Sequence, residues 1–391
     1  MSLPCIIIGA SHAAVQLSFN LRQQGWQHDI IIIGNESHMP YQKPPLSKSI
    51  MSQQKSLEEI LLKKDEFYQD ANIRLMLNTN VTEIDRSTKT IKLANGEVLA
   101  YSKLALCTGA IANKISLSDK PLLGVHYLRT AEDAAKIQNQ LTHAKNAVII
   151  GGGFIGLELA AAFNQRGVHV TILEAQENIL QRVVTSEVAQ FISSLHQQHG
   201  VEIKNCCIAK RLTGDSYVSA VVCESGESIP ADLIIIGIGI TPVTTLATKA
   251  NLDVDNGILI NQFAVTSDPN IVAAGDCCSY FHSIYQRNVR VESIQNALDQ
   301  AKSAAASIMG KEIDFSHNIP RFWSDQYDIK LQMCGLIDGY DNVEVINPQD
   351  YGQLSVLYRK DNKLIAAVII NNPLMMKQAI SAIANQEAFI H

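Results

Sequence analysis

Three glycines, Gly151, Gly153 and Gly156, follow a short run of Val and Ile residues and precede an Ala-rich amphipathic segment. The spacing G-x-G-x-x-G between a strand and a helix is typical of a dinucleotide-binding turn. The first glycine allows the tight turn, the second lets the backbone approach a pyrophosphate, and the third lets the helix pack on the strand. The pyrophosphate would lie at the helix N-terminus, where free N–H groups and the helix dipole favour an anion. The sequence therefore predicts a dinucleotide site here.

An acidic residue, Glu174, ends the second Ile/Val-rich strand of the same unit. Its carboxylate can accept hydrogen bonds from a ribose 2′-hydroxyl and would repel a 2′-phosphate. No arginine follows until Arg182. This pattern favours NADH over NADPH.

The start of the chain repeats this pattern. Residues 6–36 and residues 148–174 each contain a short apolar strand, a turn of small residues, a helix, a glycine and a second strand that ends at an acid. The glycine of the turn and the glycine after the helix are equally spaced in the two copies, Gly9 and Gly25 in the first, Gly151 and Gly167 in the second. The repeat predicts two βαβ mononucleotide-binding units.

The first copy departs from the glycine pattern. Ser11 stands at the position of the second glycine and Ala14 at the position of the third, and Glu36, with Asn35 beside it, is the candidate acid. A βαβ unit without a ligand is the alternative interpretation of this copy. Two nucleotide sites in one chain indicate electron exchange, and one nucleotide should then be a flavin, which accepts a hydride and releases single electrons.

Composition limits the class of protein. The chain has 391 residues, 47% of them hydrophobic and 18% charged, with a net charge of -6. The β-branched apolar runs, residues 30–33 and 364–370, are far shorter than the ~18 residues of a membrane-spanning helix and suit buried strands of a parallel sheet. No basic run indicates nucleic acid or a membrane surface, and the first residues do not resemble a signal peptide. We expect a cytoplasmic protein.

The chain contains eight cysteines and no C-x-x-C spacing, so we expect neither a metal site nor a redox disulfide. Cys206–Cys207 and Cys277–Cys278 are neighbours in sequence. Vicinal disulfides are strained, so reduced and partly buried thiols are the favoured interpretation.

Several motifs together resemble the flavoprotein reductases that serve oxygenase electron chains, which are the ferredoxin and rubredoxin reductases of the pyridine nucleotide-disulfide oxidoreductase superfamily. The motifs span nearly the whole chain: Pro40–Tyr41, PPLSK (44–48), LALCTGA (104–110), YLRT (127–130), GGGFIGLE (151–158), GIGITP (237–242), AAGDC (273–277), ESIQNALDQA (292–301) and FWSDQY (322–327). PPLSK and FWSDQY are the most specific, because they separate this group from the disulfide reductases of the same fold.

The resemblance implies an α/β fold with two doubly wound Rossmann-like dinucleotide-binding domains, as in glutathione reductase, and a small α+β C-terminal domain. The expected boundaries are residues 1–112 with 239–318 for FAD, 113–238 for NADH, and 319–391 for the C-terminal domain. From the residue pattern we expect a helical stretch at residues 58–70 and a buried strand with glycines at residues 232–240. After Pro320 we expect a strand meander at residues 331–336, 342–347, 354–359 and 364–370, then a helix at 373–385.

The resemblance also implies which residues bind the cofactors. Asp276 resembles the acid on the FAD ribityl chain, Val81 the residue whose backbone meets the adenine, and Ile294 the first residue of a helix that faces the flavin. The alternatives are a helix cap for Asp276, a surface salt bridge for Arg129 and a core anchor for Trp323. The expected FAD residues are Gly9, Ser11, Ala13, Ala14, Asn35, Glu36, Lys48, Val81, Thr108, Gly109, Arg129, Gly275, Asp276, Ile294 and Trp323. The expected NADH residues are Gly151, Gly153, Phe154, Ile155, Gly156, Glu158, Glu174, Gly237, Ile238 and Gly239.

By the same resemblance, Lys48 lies near flavin N5 and Glu158 lies near that lysine. Their pairing is physically sensible because a buried lysine without a partner is costly. A catalytic role and a purely structural ion pair both remain open for them. Phe154 resembles an aromatic that covers the nicotinamide pocket, and a plain core residue is its alternative.

The implied activity is hydride transfer from NADH to the flavin, followed by two single-electron transfers to a ferredoxin or rubredoxin. Such carriers are usually acidic, so docking requires a local basic patch. The candidates are Lys302, one turn into the flavin-side helix, with Arg290 and Lys330. We expect a monomer or weak dimer, and neither nucleic acid nor membrane as a partner. The alternatives are a reductase of a small-molecule acceptor without a redox-active cysteine and a non-catalytic redox-sensing protein.

Overall fold

The computed structural model describes residues 3–346, 352–387 and 389. The chain forms two compact units. The first unit contains Met1–Gln42, Glu58–Ile111 and Thr241–Pro320, and the second contains Lys43–Leu57, Ala112–Ile240 and Arg321–His391.

The described residues form 26 strands and eight α-helices. The strands are β1 Cys5–Ile8, β2 Ile30–Ile33, β3 Ile73–Met76, β4 Val81–Asp85, β5 Thr90–Leu93, β6 Val98–Ala100, β7 Lys103–Leu106, β8 Ala110–Ala112, β9 Val125–His126, β10 Asn146–Ile150, β11 His169–Leu173, β12 Glu202–Lys204, β13 Ala209–Gly214, β14 Val218–Cys223, β15 Ser228–Pro230, β16 Leu233–Ile236, β17 Ile240–Pro242, β18 Ile258–Ile260, β19 Ile271–Ala273, β20 Cys278–His282, β21 Arg287–Val289, β22 Arg321–Gln326, β23 Ile329–Gly335, β24 Asn342–Ile346, β25 Leu354–Lys360 and β26 Lys363–Ile370. The helices are α1 His12–Gln23, α2 Asp65–Asp70, α3 Ala131–Leu141, α4 Phe154–Gln165, α5 Ser186–Gln198, α6 Thr245–Lys249, α7 Ile294–Ile308 and α8 Pro373–Asn385, with 3-10 helices at Pro44–Ser47 and Glu58–Ile60.

A parallel five-stranded sheet forms the centre of the first unit. Its strand order is β19-β7-β1-β2-β3, with Ile6 of β1 opposite both Leu104 and Ile31. Every residue of β1 and β2 is buried, as expected for apolar strands covered on both faces. Helix α1 packs on the Ala-rich helix α7. The sheet therefore places the turn after β1 beside the turns that follow β7 and β19.

The second unit contains a parallel sheet of the same strand order, β12-β11-β10-β16-β9. In both sheets the first strand of the βαβ unit is central, and the strand after the helix lies next to it. One difference concerns the outer strand beyond β16. In the first unit the equivalent position belongs to β19, which comes late in the chain, whereas β9 precedes its own βαβ unit. The predicted pair of doubly wound α/β units is present.

The C-terminal residues form an antiparallel sheet of order β22-β23-β26-β25-β24, covered by helix α8. The predicted simple meander is therefore wrong in two respects: β22 was not expected, and β26 lies between β23 and β25. The central position of β26 follows from its apolar sequence. Six of its eight residues are buried, whereas β24 contains no fully buried residue. An apolar strand is stable at the centre of a sheet and a polar one at its edge. Asn347, the last residue of one predicted strand, lies outside the described residues.

Two three-stranded sheets are antiparallel, β4-β5-β6 in the first unit and β13-β14-β15 in the second. A third, β18-β20-β21 in the first unit, is mixed, because β18 pairs with β20 in parallel and β20 pairs with β21 antiparallel. The helical stretch expected at residues 58–70 is reduced to a 3-10 turn and the short helix α2. The buried strand expected over residues 232–240 covers only Leu233–Ile236, and Gly239 beyond it takes a φ of 104°, which a strand does not adopt. Among the residues described, none of the helices is long and apolar enough to cross a membrane.

His196 of helix α5 is buried, and its Nε2 lies 2.8 Å from Oε1 of Gln326. Its Nδ1 has no hydrogen-bond partner among the described residues, and burial lowers the pKa of the ring to about 4. Between pH 6.5 and pH 4 the ring of His196 therefore binds a proton in the unfolded chain but not in the folded chain. We expect stability to fall across this range as the pH is lowered, by up to about 3 kcal/mol from this residue.

The measurement is the free energy of unfolding as a function of pH for the wild type and for His196→Gln, which does not titrate. His282 in the first unit, whose pKa burial also lowers to about 4, contributes equally to both proteins. The difference between their pH profiles therefore isolates His196, and identical slopes between pH 4 and 6.5 would contradict the prediction.

Candidate functional site

The turn between β10 and α4 contains the three glycines of the second βαβ unit. Gly151 has a φ of 113°, and a Cβ on it would lie 2.4 Å from the carbonyl oxygen of Gly237. A Cβ on Gly156 would lie 2.3 Å from the carbonyl oxygen of Gly151. A Cβ on Gly153 would meet nothing within 4 Å. The protein's own packing thus requires the first and third glycines, whereas the open space above Gly153 suits close approach by a ligand.

The carboxylate of Glu174 lies against this turn. Its Oε2 accepts a hydrogen bond of 2.8 Å from the N–H of Gly152, and its Oε1 accepts one of 2.8 Å from the N–H of Gln176. These two donors fix the carboxylate at the carboxyl end of β11, with lone pairs left for a ribose hydroxyl. Gly152 was not among the predicted site residues. A Cβ there would lie 2.6 Å from Cγ2 of Ile179 and 3.0 Å from Oε2 of Glu174, and the run of three glycines was its sequence signal.

The remaining residues predicted to bind NADH, apart from Glu158, surround the same turn. Phe154 and Ile155 begin helix α4; Phe154 is partly buried and Ile155 is 39% exposed. The segment 237–239 follows β16, and the N–H of Gly237 donates to the carbonyl of Ile150 over 2.8 Å. The structure thus brings these predicted residues together at the carboxyl ends of β10, β11 and β16, where ligands bind in doubly wound sheets. Glu158, also predicted to bind NADH, has its carboxylate on Ser47, Ser324 and Lys48 instead.

The turn after β1 in the first unit is built in the same way. Gly9 has a φ of 110°, and a Cβ on it would lie 2.0 Å from the carbonyl oxygen of Cys107. Ser11 is the N-cap of α1 in an extended conformation, with no side-chain capping bond. Ala13 and Ala14 are buried, and a Cβ on Gly275 would lie 3.4 Å from that of Ala13. The small residues of this copy therefore serve close packing of α1, and Ser11 is partly exposed at the start of the helix.

Two other groups predicted to bind FAD follow the carboxyl ends of strands in the first sheet, and a third residue, Val81, lies in another sheet. Glu36 follows β2, and its Oε2 accepts a 2.5 Å hydrogen bond from the hydroxyl of Tyr41, while Asn35 beside it is exposed. Thr108 follows β7, and its hydroxyl donates over 2.6 Å to the carbonyl of Val243, whose N–H donates to Gly109. Val81 begins the antiparallel strand β4.

Asp276 lies in the turn between β19 and β20, where no helix begins, so its alternative interpretation as a helix cap is wrong. The N–H of Gly275 donates over 2.7 Å to Oε1 of Gln300, a buried residue of α7. Helix α7 begins at Ile294 as predicted, with the hydroxyl of Ser293 accepting from the N–H of Asn296. The start of α7 and the Gly275 turn are therefore held in one hydrogen-bonded arrangement.

A buried ionic cluster occupies the second unit. The carboxylate of Glu158 in α4 accepts hydrogen bonds from the hydroxyls of Ser47 (2.5 Å) and Ser324 (2.6 Å) and lies 3.3 Å from Nζ of Lys48. Nζ of Lys48 also lies 3.1 Å from Oδ2 of Asp325, a half-exposed residue. The side chain of Glu158 is 7% exposed. The predicted Lys48–Glu158 pair therefore exists as part of a five-residue cluster.

Burial raises the pKa of the Glu158 carboxyl, while Lys48 and the two serine hydroxyls act in the opposite direction. An isolated carboxylate at this depth would be strongly disfavoured, and each of these donors compensates part of the lost solvation. Sequence reasoning missed Ser47, Ser324 and Asp325. Their signal was present, because Ser47 precedes Lys48 in PPLSK and the other two follow Trp323 in FWSDQY.

Three of the residues expected at the flavin, Lys48, Arg129 and Trp323, belong to the second unit, whereas the others belong to the first. Trp323 is 44% exposed, so the alternative that it anchors a core is wrong. The N–H of Arg129 donates over 3.0 Å to the carboxylate of Asp133, and its carbonyl accepts from Nζ of Lys43.

The three candidate docking residues differ in exposure. Lys302 is exposed but lies more than two turns after the start of α7, not one turn into it as expected. Arg290 is largely buried, 2.5 Å from Oε1 of Glu292, so its charge is engaged within the protein. Lys330 in β23 is exposed.

Comparison with known proteins agrees with this geometry. Residues 3–301 match the model of the pyridine nucleotide-disulphide oxidoreductase family, and residues 321–390 match that of the reductase C-terminal domain. The chain is 38% identical to putidaredoxin reductase of Pseudomonas putida over 97% of its own length and 92% of the relative's. It is 39% identical to a rubredoxin-NAD(+) reductase of Pseudomonas putida over 94% of its length and 96% of the relative's. The structure of a covalent putidaredoxin reductase–putidaredoxin complex matches with a TM-score of 0.95 and 37% identity, over 98% of this chain and 93% of that chain.

The chain therefore belongs to the pyridine nucleotide-disulphide oxidoreductase family, in the branch that has the reductase C-terminal domain. This membership confirms the resemblance seen in the motifs, the α/β fold class and the predicted oxidoreductase class. FAD and NADH are the cofactors typical of this family.

Proposed function

We propose that this protein is an FAD-dependent reductase that passes electrons from NADH to a small iron–sulfur carrier, a [2Fe–2S] ferredoxin or a rubredoxin, which supplies an oxygenase. The observation that carries the proposal is similarity over nearly the whole length to reductases whose names specify putidaredoxin, ferredoxin and rubredoxin. FAD, when bound, supplies the change from a two-electron donor to single-electron transfer.

The proposed organisation assigns residues 1–112 and 239–318 to FAD, 113–238 to NADH, and 319–391 to a C-terminal domain. The residues present fit two dinucleotides, since each βαβ unit has a turn with a sterically required first glycine, Gly9 or Gly151, and an acid after its second strand, Glu36 or Glu174. The hydroxyls of Ser47 and Ser324 hold the carboxylate of Glu158, which lies 3.3 Å from the ammonium of Lys48, and we propose that this ammonium belongs to the reaction centre. We also propose a cytoplasmic monomer or weak dimer that binds neither nucleic acid nor membrane, which fits the net charge of -6.

Replacing Glu174 by alanine is expected to lower kcat/KM for NADH at least about tenfold and to raise the ratio of activity with NADPH to activity with NADH. The change removes the acceptor for the ribose hydroxyl and the charge that repels a 2′-phosphate. Steady-state kinetics with both nucleotides measures the effect. The matched control is Glu202→Ala, an exposed carboxylate on the neighbouring strand β12. An unchanged nucleotide preference in Glu174→Ala would remove this residue from the site.

The acceptor is tested by NADH oxidation with ferricyanide, peroxide, and a panel of ferredoxins and rubredoxins. We expect Lys302→Glu to lower the rate with an acidic iron–sulfur acceptor about tenfold at low salt, because charge complementarity speeds encounter, and to spare ferricyanide. Lys311→Glu, the same charge change beyond the end of α7, is the control. If Lys302→Glu lowers the rates with the iron–sulfur acceptor and with ferricyanide equally, Lys302 is not a docking residue. The same conclusion follows if Lys311→Glu lowers the rate with the iron–sulfur acceptor as much as Lys302→Glu does. Rapid reduction of peroxide with no iron–sulfur acceptor would overturn the proposed function itself.

A further inference from the structure

Three cysteines gather at the hairpin of β13 and β14 in the second unit. Cys206 and Cys207 precede β13, and Cys223 ends β14, where it pairs with Ala209. All three are free thiols, and Sγ of Cys207 lies 2.9 Å from Sγ of Cys223. Neither the dinucleotide sites nor the Lys48 cluster uses them.

We propose that Cys207 and Cys223 form a thiol–disulfide site, which a small organic disulfide oxidises to an intramolecular disulfide and a small thiol reduces again. The proposal does not depend on the electron acceptor or on the nucleotides.

The main chain already holds the two sulfurs in place. The N–H of Glu224 donates over 2.9 Å to the carbonyl of Ile208, and the N–H of Cys223 donates over 2.8 Å to the carbonyl of Glu227. A disulfide bond is about 2.05 Å long, so closing the 2.9 Å separation requires little movement. The hairpin therefore presents a preformed dithiol.

Access differs between the two thiols. Cys223 is 1% exposed, whereas Cys207 is partly exposed. Both line an open cavity of about 330 Å³, which has room for a small disulfide. Burial and the neighbouring Cys207 thiol raise the pKa of the Cys223 thiol to about 12. Cys207 is therefore the thiol that reacts first.

The reaction is two thiol–disulfide exchanges. Cys207 loses its proton to water, and its thiolate attacks one sulfur of R–S–S–R, forming a mixed disulfide and releasing R–S⁻. Cys223 then loses its proton and attacks Sγ of Cys207, releasing the second R–S⁻. Both leaving thiolates take up a proton from water. Two cysteines are oxidised, and one small disulfide is reduced to two thiols.

The charges around the cavity select the reagent. Glu224 and Glu227 line it together with Lys204, whose ammonium lies 2.8 Å from carboxylates of both Glu202 and Glu227. The lysine charge is thus neutralised and the remaining field is negative. A cationic disulfide such as cystamine is the suitable probe.

Two other thiol pairs do not share these properties. Cys277 and Cys278 are fully buried, with sulfurs 3.7 Å apart, so a reagent does not reach them. Cys206 is exposed and adjacent to Cys207, and a disulfide between sequence neighbours is strained. Cys206 can accept an adduct but is not a suitable partner for ring closure.

A cross-link at this hairpin has a local consequence. The N–H of Cys207 donates over 2.9 Å to the carbonyl of Glu174, and the N–H of Cys206 donates to the carbonyl of Gln176. Restraining Cys207 therefore restrains the loop after β11. Hydrogen exchange at these amides should slow on oxidation.

The test treats the folded protein with cystamine, blocks remaining thiols with N-ethylmaleimide, and maps the peptides by mass spectrometry. Cys206 and Cys207 fall in one tryptic peptide, residues 205–210, so the Cys206→Ser variant is used beside the wild type. We expect a disulfide that joins this peptide to the one with Cys223, in both proteins, and its loss on treatment with dithiothreitol. Cys223→Ser should instead trap a cysteamine adduct on Cys207.

The proposal is overturned if Cys207 and Cys223 of the oxidised wild type both remain thiols, or if each bears a separate adduct. It is also overturned if amide exchange at residues 206 and 207 is the same before and after oxidation. If Cys206→Ser fails to fold, fragmentation of the cross-linked wild-type peptide between Cys206 and Cys207 identifies the cysteine joined to Cys223, and a bond to Cys206 overturns the proposal.

Discussion

Replacing Gly151 by alanine is expected to lower kcat/KM for NADH at least about 100-fold, which corresponds to about 2.7 kcal/mol. Gly151 has a φ of 113°, which an L side chain rarely adopts, and its Cβ would lie 2.4 Å from the carbonyl oxygen of Gly237. The turn must open to relieve this clash, and that displaces the N–H groups at the start of α4. Steady-state kinetics and thermal unfolding measure the two effects, and we expect both activity and stability to fall.

Substitutions at two further glycines separate the effect on NADH binding from the effect on stability. The Cβ added by Gly153→Ala would have no atom within 4 Å, so the stability of the protein should not change. The KM for NADH should rise about tenfold, because the methyl group fills space that the ligand needs. Gly167→Ala has a φ of 80° and likewise no neighbour, so it should cost about 1 kcal/mol of stability and leave KM unchanged. A Gly153→Ala enzyme with the wild-type KM would refute the assignment of this turn to NADH.

Replacing Glu158 by alanine is expected to destabilise the second unit by about 3 kcal/mol, because a buried partner of Lys48 is lost. The hydroxyls of Ser47 and Ser324 lose their shared acceptor at the same time. Hydrogen exchange of the amides in β22 reports the opening of this region. Asp325→Asn removes the half-exposed partner of the same lysine and should cost less than about 1 kcal/mol. Equal losses of stability in Glu158→Ala and Asp325→Asn would show that the burial of Glu158 does not increase the cost of removing it.

The same cluster allows the catalytic and structural alternatives to be distinguished. Glu158→Gln retains groups that can bond both serines and removes only the charge. If the Lys48 ammonium acts at the reaction centre, Lys48→Met should slow reduction of the bound flavin by NADH at least about tenfold, followed as loss of visible absorbance. A structural pair alone predicts lower stability in both variants with an unchanged rate of flavin reduction.

Much of the fold was readable from short-range patterns. The two glycine turns, the apolar runs of β1, β2 and β10, and the start of α7 were predicted close to their observed positions. Such features depend on backbone conformations that a few neighbouring residues impose, as the φ values of Gly9 and Gly151 show. The boundaries of β16 and the reduced helix at residues 58–70 were less accurate, because local propensity does not define where tertiary packing ends an element.

The sequence by itself determined the class of this protein: two dinucleotide turns with an acid after each second strand, joined to motifs of a reductase family. Only the tertiary structure decided which distant residues meet. In the folded chain the hydroxyls of Ser47 and Ser324 both bond the carboxylate of Glu158, and Cys207 lies beside Cys223. Strand β26 lies at the centre of the C-terminal sheet, and Trp323 is half-exposed. The physical reason is the distance along the chain over which each feature is determined. A glycine turn is specified by bond geometry within a few residues, whereas burial, strand order and sulfur contacts depend on segments that only folding brings together.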